Sequence, residues 1–184
     1  MRAPRLLAAA AAALAAAVLA PTAAQAGPAD ELKAVTVATA HFHSVTQATK
    51  AGYGELRDAA NIACIDNPAG GMGTHYANGG LVGDPALTPT QPEVLVYEPG
   101  ADGSMELVAL EYVILESTWQ AAGHPDPSDV PSLFGQDFER LAGPGEAQPQ
   151  NRYGLPAFYE LHLWLWKPNP SGMFEDWNPD VTCP

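Results

Sequence analysis

Cysteine is nearly absent: the 184-residue chain carries two, Cys64 and Cys183. Neither belongs to a C-x-x-C pair or has a histidine beside it, which argues against thioredoxin-like redox chemistry and thiolate metal sites. Basic residues are also scarce, with 8 Lys and Arg against 21 Asp and Glu and a formal charge of −13. Phosphate backbones and anionic lipid surfaces are repelled by such a chain, so nucleic acid and membrane are excluded as partners. The serines at 104, 117, 128, 132 and 171 sit in no G-x-S-x-G elbow, and a hydrolase triad has no anchor. Gly70, Gly71 and Gly73 lack the spacing and the following lysine of a phosphate loop. Glu106 and Glu111, five residues apart on one expected strand, point to opposite faces and make no glycosidase pair.

One long apolar run exists, Leu6 to Ala20, preceded by Arg2 and Arg5 and followed by Ala24-Gln25-Ala26. It is shorter than the roughly 20 residues that span a bilayer, and small residues follow it at once. Residues 1–26 therefore read as an export signal cleaved after Ala26, and residues 27–184 as a single secreted α+β domain with no membrane attachment. In an oxidising compartment the two cysteines allow one bridge, Cys64 to Cys183. Closing a loop of that length stabilises a fold by about 3 to 5 kcal/mol in the chain-entropy model.

Asp30 is placed as the N-cap of a first helix, in which Leu32, Val35, Ala38, Phe42 and Val45 recur at spacings of three and four before Gly52 stops it. After residue 60 the pattern changes to short β-like runs punctuated by Gly, Pro, Asn and Asp. "PEVLVYEP" and "SMELVALEYVILES" flank an Asp102-Gly103 turn and read as a hairpin. In its second strand Met105, Leu107, Ala109 and Val113 fall on one face and Val108, Leu110, Tyr112 and Ile114 on the other, as in a central strand. Trp119 to Pro156 reads as two loops around the compact "PSLFGQDFERL". "LPAFYELHLWLW" is the last strong strand, with Phe158, Glu160, His162, Trp164 and Trp166 on one face. A proline-stiffened tail then delivers Cys183. The expected fold is a helix packed on an antiparallel, barrel-like sheet, locked by one disulfide.

Chemistry is sought where polar groups interrupt apolar strands. Glu111 is the lone charge in "LVALEYVIL", and an unpaired carboxylate there would cost several kcal/mol. His162 stands between Leu161 and Leu163, while His75 follows glycines that permit close approach of another segment. The expected site is His75, Glu111 and His162 converging on one divalent metal ion, with His43 or His41 as a fourth ligand. Two imidazoles and a carboxylate suit zinc, copper, manganese or iron, and leave positions open to water or a small molecule. The alternative is a metal-free binding or structural module. There Glu111 accepts from His75 or His162 in a buried network completed by Tyr76 or Tyr112. By helical geometry His41 borders the apolar stripe, whereas His43 points to solvent.

The segments "MGTHYANGGLVGD", "PEVLVYEPGADGSMELVALEYVI", "SLFGQDF" and "YELHLWLWKPNPSGMFEDWNPDVTC" together resemble a family of small secreted bacterial proteins of unassigned function. The resemblance runs from about Ala38 to Cys183. It implies one exported domain in which His75, Glu111, His162, the terminal cysteine and a histidine near His43 recur, and it implies no reaction.

Overall fold

The computed structural model describes residues 27–147 and 150–184; the export signal read at residues 1–26 lies outside them. The N-terminal segment forms α1 (Pro28–Thr39), a 3-10 turn (Ala40–His43) and α2 (Val45–Lys50). Its apolar stripe is buried as expected, through Val35, Phe42 and Ala48. The N-cap is Gly27, not Asp30, because Pro28 takes the first turn, where its missing N–H leaves no bond unmade. Asp30 and Glu31 lie inside that turn, at the positive end of the helix dipole. The helix is also interrupted. The Tyr97 hydroxyl donates to the Phe42 carbonyl at 2.6 Å, and the Phe42 ring packs edge-on against Tyr53, so the turn is drawn onto the sheet. Gly52, at φ 96°, ends the segment.

Seven antiparallel strands build the main sheet: β1 (Gly54–Glu55), β2 (Cys64–Asn67), β3 (Gly70–Ala77), β4 (Val94–Pro99), β5 (Met105–Leu115), β8 (Glu139–Leu141) and β9 (Phe158–Leu163). Their order is β1-β3-β4-β5-β9-β8, with β2 also paired to β3. The sheet does not close, so the barrel-like expectation is corrected to an open sheet. The expected hairpin is β4 and β5, whose turn places Gly103 at φ 81°. Between Trp119 and Pro156, β6 (Ser132–Leu133) and β7 (Gln136–Asp137) form a small hairpin before β8. Two short helices went unseen in the sequence, α3 (Gly79–Val82) and α4 (Glu116–Ala121), each too brief to show a helical period.

The sheet has two unlike faces. On one, Leu95, Tyr97, Leu110, Tyr112, Ile114, Leu161 and Leu163 pack against Val35, Phe42 and Ala48 of the helical segment. On the other, Val94, Val96, Ala109, Val113, Phe158 and Trp164 pack with Val181 of the tail. The assignment of β5 side chains holds except at a bulge. Val96 pairs with Ala109 and Tyr97 with Leu107, so Val108 is extra, Leu107 joins the helix-covered face, and Val108 and Ala109 both serve the other.

The C-terminal tail covers the second face. Asn178 exchanges backbone hydrogen bonds with Gly71, and the Trp164 indole donates to the Glu175 carbonyl at 2.6 Å. The glycines of β3 make this crossing possible. A Cβ at Gly71 would stand 2.7 Å from the Val181 carbonyl oxygen, and one at Gly73 would stand 2.7 Å from that of Tyr97. The Cys64–Cys183 disulfide pins the end of the tail to β2. Among the described residues no helix is long and apolar enough to cross a membrane.

Candidate functional site

The tail-covered face carries the polar groups. Glu111 stands directly across from His162 in the β5–β9 register, and Val113 across from Glu160. Residues on one face of a strand recur every second position, so Glu111 and Val113 bring His162 and Glu160 to the same side. His75 sits two strands away, opposite Val96, and its imidazole reaches over β4 until Nε2 is 3.5 Å from Glu111 Oε2. The His75 and His162 rings are 6.3 Å apart, nearly perpendicular. All four side chains are buried, each at most 5% exposed. The structure thus brings together the three residues singled out from the sequence and adds Glu160.

Several of these groups lack partners. Neither His75 nitrogen nor His162 Nε2 makes a hydrogen bond, although all three atoms are buried. The Gly73 carbonyl favours a charged His75 electrostatically, but no His75 nitrogen meets it in hydrogen-bonding geometry. Burial pushes the His162 imidazole down to about 3, helped by neighbouring His75. Burial also lowers His75, against the opposing pull of Glu111. Both rings are therefore neutral at physiological pH, the state in which imidazole offers a lone pair to a ligand. Burial first, then the charge of Glu111 and a hydrogen bond to it, raises Glu160 well above the usual carboxylate range. Glu160 is therefore the member of the carboxyl pair whose protonated form burial favours.

A cavity of about 240 Å³ opens beside the pair, lined by Glu111, Glu160, Asp176, Arg152, Tyr153 and Trp177 among others. Burial, followed by the charges of Glu139 and Glu111, pushes Asp176 up to about 6. Arg152 is drawn away by Asp58, with Nη2 to Oδ2 at 2.8 Å. Tyr153 sets its ring 6.1 Å from that of His75.

Four expected participants are elsewhere. His41 and His43 belong to the turn whose Phe42 packs on the helix-covered face, so neither is brought to Glu111. The His43 ring stands 4.5 Å from that of Trp166, and the His41 ring 3.8 Å from that of Phe42. The expected fourth ligand is thus absent, because the sheet lies between. Tyr112 and Tyr76 cannot complete the network either: the Tyr112 hydroxyl donates to the Pro89 carbonyl, and Tyr76 packs on Tyr97. Glu160, Asp176 and Tyr153 take those places. Glu160 was signalled in the sequence by its position two residues before His162 on one strand; Asp176 and Tyr153, both in irregular segments, carried no such signal.

As they stand, no three His, Cys, Asp or Glu side chains among the described residues are positioned to hold one metal ion. The arrangement is two neutral imidazoles with unpaired nitrogens beside a buried carboxyl pair, Glu111 and Glu160. No family model, curated protein or solved structure matches the chain.

Proposed function

We propose that the protein is exported and binds one divalent transition metal ion, zinc, copper, manganese or iron, through His75, Glu111 and His162. The observation that carries this reading is the set of buried, unpartnered imidazole nitrogens beside a buried carboxyl pair. Each buried polar atom left unpaired costs about 1 to 3 kcal/mol, and a bound cation would recover that cost for several atoms at once. His75 Nε2 and Glu111 Oε2 need to move little to share an ion, since ligands about 2.0 to 2.2 Å from a metal lie near that separation. His162 must turn toward them.

One observation favours the metal-free alternative, a buried network that rigidifies a binding module. The side chains do not already converge on a common point. Elemental analysis of untagged protein recovered from outside the cell separates the two. Stoichiometric metal that is lost in His75→Ala and in His162→Ala supports the proposal. A folded, metal-free wild-type protein that takes up none of the four ions on titration ends it.

A further inference from the structure

A second cavity, of about 200 Å³, also reaches Glu111. Its walls are hydrocarbon, with Val82, Val94, Val113, Leu155 and Phe158 around it and Tyr153 standing between it and the first cavity. Glu111 is the one charged residue that lines it among the described residues. Its size has a useful calibration: an apolar cavity of about 150 Å³ admits benzene. There is room for a ring or branched chain of that size and one head group.

The chemistry of the head group follows from the charges nearby. Glu111 lies at the edge of the hydrocarbon and shares the lining of the first cavity with Glu160 and Asp176. Arg152, which lines the neighbouring first cavity, is already paired with Asp58. An anionic head group would enter a field of carboxyls, and a neutral one would leave Glu111 without a counter-charge. We infer that this chamber binds a small primary ammonium compound, its apolar body against Val94, Val113 and Phe158 and its ammonium on the Glu111 carboxylate. The inference goes beyond metal binding and does not need it, since it rests on the chamber's shape and the charge at its end.

Isothermal titration of the full-length, chelator-treated protein with benzylammonium, benzyl alcohol and benzoate tests it, because the three probes share a size and differ in head-group charge. Benzylammonium should bind more tightly than benzyl alcohol by about tenfold, the ratio expected of one charge-assisted hydrogen bond. Glu111→Gln should erase that preference while retaining benzyl alcohol binding. Val82→Phe, at a half-buried wall position, should abolish binding of both and leave the circular dichroism and thermal unfolding of the chain intact. Absence of heat with all three probes, benzoate binding as tightly as benzylammonium, or a preference that survives Glu111→Gln would each overturn it. Metal content measured on Val82→Phe keeps the two readings apart, for it should equal that of the wild type.

Discussion

Glu111 and His162 face each other across β5 and β9, and that register sets what a substitution at either position does. Replacing a buried ionic group by a hydrocarbon of similar volume is often neutral or stabilising, because desolvation consumes most of what the charge gains. Glu111→Leu is therefore expected to bind no metal yet unfold, in the presence of chelator, at or above the wild-type temperature. Calorimetry on both proteins checks it; a loss of several kcal/mol would show instead that the carboxylate holds the face together. Glu160→Gln should behave differently, since it keeps the size and polarity of the raised Glu160 carboxyl but removes its titration. It is expected to keep the fold and alter the pH dependence of metal uptake. Glu111 and His162 were legible because each interrupts an apolar strand with a group that demands a partner, and His75 because the glycines before it permit close approach of another segment. Glu160 was visible on the same strand face, but its pairing with Glu111 depends on the β5–β9 register, which alternation within one strand does not reveal. His41 and His43 misled because a wheel describes one helix and says nothing of which side of a sheet it covers.

The glycines of β3 belong to the scale of elements, where one strand makes room for another segment. Gly71→Ala sets a methyl group 2.7 Å from the Val181 carbonyl oxygen, and backbone at that distance has no flexible end to yield. A cost of about 1 to 3 kcal/mol is expected from urea unfolding, with faster proteolysis of the tail. Gly79→Ala, with open space around its Cβ, serves as the control. The hairpin and the last strand were readable, since alternation and turn residues are local signals. The bulge at Val108 was not, because an extra residue shifts the alternation without leaving a mark in composition. The break in the first helix was equally hidden: its cause is a hydroxyl contributed by Tyr97, 55 residues further along the chain.

For the molecule as a whole, the buried titratable groups shape stability against pH from both sides. Burial pushes Glu93 up to about 8, from an ordinary 4.5, and its Oε2 accepts from the Val113 amide inside the protein. The folded chain therefore holds a proton that the unfolded chain releases. Its contribution is complete at pH values below the ordinary carboxylate value and drains away as pH rises toward 8. Glu160 and Asp176 shift in the same direction. The two histidines act oppositely, since their lowered values remove stability as pH falls below 6.5. Thermal unfolding followed across this range should show a clear fall from about pH 6 to about pH 9. Glu93→Gln should flatten it, with a gain on the order of a few kcal/mol at the alkaline end. The disulfide acts over the same scale. It joins residues 119 apart, and reducing it should cost about 5 kcal/mol in the chain-entropy model, measurable as a lowered urea midpoint.

The bridge has one more consequence, in time instead of energy. The cover over the polar face follows β9 in the chain, and its anchor is Cys183. Wherever thiols stay reduced, that flap is held by noncovalent contacts alone and the imidazoles beneath it are less well enclosed. Covalent closure of the pocket is thereby tied to the moment an oxidant is met.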